Sequence, residues 1–297
     1  MIQSANVGIG ISGMEGLQAV NASDYAIGQF RFLKRLLLVH GRWNYRRVSK
    51  LVVYVFYKNI LFFLTQLWFN IYNGYSGASL HDNWTIALYN TIFTGLPIVA
   101  LAFMDRDVPD YIAEKYPELY FQGQKNRYFN AKIFISWIVN AVFHSTICFF
   151  IPYYCLVDSK FIDGQDIDTQ TIGIAVYSCV LAVTLFKLAI ETASWTIVHC
   201  LFYFGFYLSF PAFVFSYGSV YYLIKYPYPV LSETYSITQR WRIFLSPQFY
   251  FILMLVAFAC CLRDIFWKGF VRMYDRNFLY ELQEKRKQIR KEMQFIK

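Results

Sequence analysis

A single lysine inside an apolar run carries the most chemical information in this sequence. Lys58 lies seven residues into Leu51–Asn73, roughly 10 Å along a helix at the usual rise. An ammonium group at that depth is costly, and ionisable residues inside such runs usually face a protein interior or a wet cavity. The alternative is a stem that snorkels back to the interface. Asn59 follows it, and Gln66 lies two turns further on. In the next apolar run Tyr89, Asn90, Thr91 and Thr94 precede Gly95 and Pro97. Polar side chains beside a helix break are suited to a midplane ligand site, although the same side chains also serve as hydrogen-bonding glue between helices. Lys58, Asn59, Gln66, Tyr89, Asn90, Thr91 and Thr94 are therefore the polar side chains that could meet a ligand.

The missing residue types narrow the ligand. Neither of the first two runs contains Asp or Glu before Asp105. Transported Ca²⁺, Na⁺ or protons need oxygen ligands or carboxylate relays, so one ammonium among amides and hydroxyls suits an anionic or zwitterionic passenger better. The six cysteines and four histidines show no zinc spacing, and the thiols read as small buried hydrophobes. Neither a Ser-His-Asp set, a P-loop nor His-Glu-x-x-His is present. No catalytic and no metal-binding residue is assigned. Gly8-Ile9-Gly10-Ile11-Ser12-Gly13 fits the dinucleotide fingerprint, but that motif needs a strand–turn–helix unit and a later acid. Basic, membrane-type sequence begins too soon, and a tight turn in a piece of α/β domain is the better reading.

The elements that must hold these residues are helices in lipid. Hydrophobic residues make up 57% of the 297 positions and charged residues only 16%, which excludes disorder. A hydrocarbon core takes about 20 apolar helical residues. Six segments qualify, at about 51–73, 84–104, 131–157, 171–188, 196–224 and 247–267. Pro97 and Pro211 are expected to kink the second and fifth. No signal-peptide pattern occupies the first thirty residues, so the first span is expected to direct its own insertion. Lys and Arg total 23 on the side that holds both termini against four on the other. By the positive-inside rule both ends are cytoplasmic. The net charge of +9 is then directed at a membrane surface. No nucleic-acid-reading motif accompanies it.

The expected fold class is an all-α polytopic membrane protein, six transmembrane helices preceded by a short remnant of an α/β domain. Residues 1–50 read as that remnant and a basic linker: a strand at Asn6–Ser12, a helical turn at Glu15–Val20 and an amphipathic helix at Phe30–Val48. Residues 51–267 form the transmembrane domain, and 268–297 a basic tail in which Glu281, Glu284, Lys285 and Lys287 are spaced for helical ion pairs.

Several segments carry a resemblance to a family. MIQSANVGIGISGMEGLQAVNASDYAIGQFRFL, LLLVHGRWNYRR, FYKN (Phe56–Asn59), YNTIFTGLP (Tyr89–Pro97), DRDVP (Asp105–Pro109), YPELYFQGQ (Tyr116–Gln124), Phe129, Asn130 and Trp137, and CLRDIFWK (Cys261–Lys268) resemble the type-IV P-type ATPases, the phospholipid flippases. The resemblance implies that Met1–Leu33 ends a phosphorylation domain and that the six spans are the last six of ten. It implies ATP-driven translocation of phospholipid from the outer to the cytoplasmic leaflet, with ATP and Mg²⁺ used by the full-length protein and none bound by this portion. It also implies an accessory β-subunit. The family's Lys-Asn pair, linked to head-group handling, falls on Lys58 and Asn59, and Asn90 and Thr94 fall near the same route. A regulatory phosphoinositide contact would fall on Trp267, Lys268, Arg272 and Arg276.

The sequence departs from the family by omission. The phosphorylated Asp of D-K-T-G does not occur, and Met1 reads as an internal methionine, with the magnesium-binding G-D-G-x-N-D motif expected just upstream. The alternatives to a C-terminal flippase half are a non-catalytic standalone membrane subunit or regulator, and half of a P-type cation pump, which the acid-free spans disfavour. Head group and organelle (plasma membrane, Golgi or endosome) are not distinguished.

Overall fold

The structure is a computed structural model. It describes residues 4–13, 18–160, 164, 166–223, 241–274, 278–286, 288, 289 and 291. The expectations that fall on Arg276, Ile224, Lys287 and the first residues of the Glu15–Val20 turn lie outside these. The chain divides into two compact units.

The first unit comprises Met1–Val48, Arg106–Tyr128 and Arg276–Lys297. Its two strands, Ile9–Ile11 and Tyr25–Ile27, pair in parallel with Ile9 opposite Tyr25. The glycine-rich stretch has a packing role: a Cβ on Gly10 would lie 2.7 Å from Ser23 Oγ and 2.9 Å from Ala19 O, so only glycine admits the connecting turn. Asp24 accepts from the Gly8 amide at 2.8 Å. The strand is shorter than the expected Asn6–Ser12. The expected helix at Phe30–Val48 is broken into Phe32–Arg35, a π-turn at Leu36–Gly41, and the start of a helix at Arg42.

Val39, Trp43, Val108, Ile112, Leu119 and Leu279 form an apolar core in this unit. Asp107 sits at its edge with no side-chain exposure, bonded to Arg42 through both oxygens and 3.7 Å from Arg46 Nε. Burial alone would raise the Asp107 carboxyl. The two guanidinium groups more than offset that and hold it below the usual carboxylate range. Arg35 reaches Asp110 at 2.7 Å and Glu114 at 2.9 Å, and its hydrogen bond lowers the Asp110 carboxyl. In the tail, Lys285 meets Glu281 at 2.6 Å, one of the expected helical pairs.

The second unit, Ser49–Asp105 and Phe129–Asp275, contains the six spans. The helices are Arg42–Tyr72; Asn83–Leu88 continuing to Met104; Ala131–Leu156; Thr169–Glu191; Ile197–Leu223; and Pro247–Tyr274. All six are long and apolar enough to cross a membrane. In the fourth span 89% of the most apolar stretch is buried, against 44% or less in the others, so this helix is the centre of the bundle. Its Gly173 lies so close to Leu80 O that a Cβ would overlap it.

The break in the second span differs from the kink expected at Pro97. The helix widens to a π-turn over Tyr89–Phe93, and a new helix starts at Gly95. Pro97 is in its first turn, where a missing N–H costs nothing. At one end of the bundle Lys50 bonds Glu191 O at 2.5 Å and Lys268 reaches the Glu191 carboxylate at 3.0 Å. Asp105 accepts from the Ala193 and Ser194 amides at 2.7 and 3.0 Å. These groups tie the first, second, fourth and sixth spans together.

Candidate functional site

Lys58 is 3% exposed and points into the bundle. Its Nζ donates to Thr94 Oγ1 at 2.7 Å. The Thr94 hydroxyl spends its one proton on Tyr89 O, at 2.6 Å, which leaves the oxygen free to accept from the ammonium. Tyr89 contributes twice more. Its hydroxyl donates to Lys58 O at 3.0 Å, and its ring centroid lies 5.7 Å from Nζ, within cation–π range.

The π-turn makes this arrangement. The Thr94 amide bonds Tyr89 O at 3.0 Å, five residues back, and the extra residue turns Thr94 inward. Gly95 permits it, because a Cβ there would overlap Asn90 O. Asn90 itself is exposed, so its part in the site is its backbone carbonyl. Asn59 is half-buried, and its Oδ1 is buried without a hydrogen-bond partner among the described residues. The structure thus joins Lys58 and Thr94 directly, leaves Asn59 Oδ1 buried without a partner among the described residues, and turns Asn90 outward.

Similarity to known proteins gives this site its context. The family described as "Phospholipid-translocating P-type ATPase C-terminal" matches residues 20–277. The chain belongs to the phospholipid-translocating P-type ATPases. It is 37% identical over 299 residues to phospholipid-transporting ATPase DRS2 of Saccharomyces cerevisiae, covering 97% of this chain and 21% of that protein. It is 41% identical over 206 residues to phospholipid-transporting ATPase ID of Homo sapiens, covering 69% of this chain and 17% of that one. The chain spans about a fifth of the length of these curated relatives. As a phospholipid-translocating ATPase segment with six apolar helices, it is an integral, multi-pass membrane protein.

One polar cluster of this flippase segment escaped sequence reading. Lys187 and Asp264 lie near the ends of the fourth and sixth apolar runs, where a charge is expected to reach the interface. Both are instead buried, with Lys187 Nζ 2.8 Å from Asp264 Oδ2. Asn140 donates to Asp264 Oδ1 at 3.0 Å. Lys187 also lies 4.6 Å from the Trp137 ring centroid. His144 Nδ1 is 2.6 Å from the hydroxyl of Tyr57, the residue before Lys58. The acid-free description therefore holds for the first two spans and fails for the sixth. The available signal was one acid and one lysine of opposite sign near the ends of two apolar runs. In the tail, Lys268 donates to Ile190 O at 2.8 Å, Trp267 is exposed, and Arg272 lies in the sixth helix.

Proposed function

We propose that this chain is the C-terminal membrane portion of an ATP-driven phospholipid flippase, moving phospholipid from the outer to the cytoplasmic leaflet. ATP and Mg²⁺ act, in this reading, at phosphorylation and nucleotide-binding domains whose D-K-T-G motif does not occur in this sequence. Both termini lie on the cytoplasmic side, as the basic-residue asymmetry argues. An accessory β-subunit pairs with the membrane portion. Trp267, Lys268 and Arg272 form an anionic-lipid contact, with phosphoinositide as the regulatory ligand.

One observation carries the reading. The Lys58 ammonium is buried beside a break in the second span, with the Thr94 hydroxyl as its hydrogen-bond acceptor. An ammonium with spare donors and no neighbouring carboxylate among the described residues favours a phosphate-bearing passenger over a metal cation. Asn59 and Thr94 serve the same route, and Asn90 shapes it through its backbone.

The test is Lys58→Ala in the full-length flippase with its accessory subunit. Lipid-stimulated ATP hydrolysis and labelled-lipid uptake are expected to fall about tenfold or more, the equivalent of one charged hydrogen bond, while phosphoenzyme formation from ATP persists. Uptake unchanged for every head group tried would remove Lys58 from the route.

A further inference from the structure

A cavity of about 280 Å³ lies apart from Lys58, enclosed by the loop between the first two spans and by the fourth and fifth. None of Lys58, Asn59, Asn90 and Thr94 lines it. Its lining carries one carboxylate, Asp82, and no lysine or arginine among the described residues. Three aromatic residues line it, Tyr177, Phe210 and Phe213, of which the first two are each 1% exposed. Tyr177 and Phe210 pack with centroids 4.5 Å apart and planes tilted by 31°.

His81 also lines the cavity and is buried. The hydroxyl proton of Thr65 goes to Phe62 O at 2.7 Å, so His81 Nε2, 3.2 Å from that hydroxyl, is the donor between them. On that tautomer Nδ1 carries the lone pair; it makes no hydrogen bond of regular geometry among the described residues, although the Gly173 backbone is close enough to act on the ring. Burial pushes the ring down to about 4, against a smaller opposing pull from the Gly173 backbone. At neutral pH the imidazole is an uncharged acceptor.

We infer that this cavity binds a small organic ammonium group, with the cation over the aromatic rings, Asp82 as its counter-charge and His81 Nδ1 as acceptor for one N–H. The aromatic faces attract a cation through their quadrupole, and desolvation strengthens that attraction. An anion would meet a carboxylate and no positive charge among the described lining residues. The volume is just below the usual range for small-molecule pockets, about 300–1,000 Å³, which fits a head group and not an acyl chain. The ammonium could arrive as a free amine or on a lipid, and both offer the same chemistry. The inference does not depend on the transport reading, since the cavity shares no residue with the Lys58 site.

The experiment titrates the full chain in phosphatidylglycerol nanodiscs by isothermal calorimetry. The probes are ethanolammonium chloride, dihexanoyl-phosphatidylethanolamine and inorganic phosphate. Saturable binding of at least one ammonium probe, and none of phosphate, is expected. Asp82→Asn should weaken it about tenfold. This variant keeps the helix cap that Asp82 supplies to the Trp84 amide, because Asn caps as well as Asp. Phe213→Leu keeps an apolar side chain, removes the ring face, and should also weaken binding. Binding of the short lipid alone would identify a lipid head group as the source; binding of both would show that the amine suffices. No saturable heat from either ammonium probe, equal affinity for phosphate, or affinity unchanged in both variants would overturn the assignment.

Discussion

Asp107 shows what a buried carboxylate does when two guanidinium groups face it. Its pKa is held below the ordinary value, so its contribution to stability is present above the unfolded pKa, ~3.9. It is lost as pH falls through the lower folded value. Asp107→Ala removes the carboxylate that holds the buried Arg42 through both oxygens and is expected to cost about 3–5 kcal/mol at pH 7. The gap between variant and parent should close in acid, below the ordinary carboxylate pKa, and stay constant from pH 5 to 7; urea unfolding across that range measures both. The Lys58–Thr94 contact was partly legible in the sequence, since a lone ammonium in an apolar run needs an acceptor and the next run offers few. Asn90 turns away from Thr94 for a physical reason. Four residues apart, Asn90 and Thr94 share one face of a regular helix, but the π-turn over Tyr89–Phe93 shifts the phase, so one faces in and the other out.

At the scale of elements, that π-turn depends on Gly95. Gly95→Ala forces a methyl group against Asn90 O, and the turn is expected to relax toward regular helix. Thr94 then swings off Lys58, which loses its acceptor. The expected result is lower thermal stability, by about 1–3 kcal/mol for a buried donor left unsatisfied, and transport reduced as in Lys58→Ala. Thermal unfolding in nanodiscs and labelled-lipid uptake in the full-length protein check the two halves; retention of both would show that Gly95 does not shape the site. The six spans themselves were readable from hydropathy because lipid demands length and apolarity of each helix singly. The break was harder. Proline marks it in sequence, yet the carbonyl crowding that sets its position lies two residues earlier.

Across the whole molecule the buried Lys187–Asp264 pair fixes how the fourth and sixth spans meet. Removing one partner leaves a charge in the bundle, so Lys187→Met alone should destabilise by about 3–5 kcal/mol. The double change with Asp264→Leu should restore much of that loss, and a double-mutant cycle by thermal unfolding reads the coupling. Independent effects in that cycle would mean that the pair does not act as a unit. Sequence offered the two opposite charges but not their pairing, which depends on the rotation of two distant helices about their own axes, something hydropathy does not encode. The enclosed fourth span has a consequence for the bilayer. A helix walled in by protein has almost no acyl chains to match, so thinning, thickening or tension in the membrane reaches it second-hand, through the helices around it.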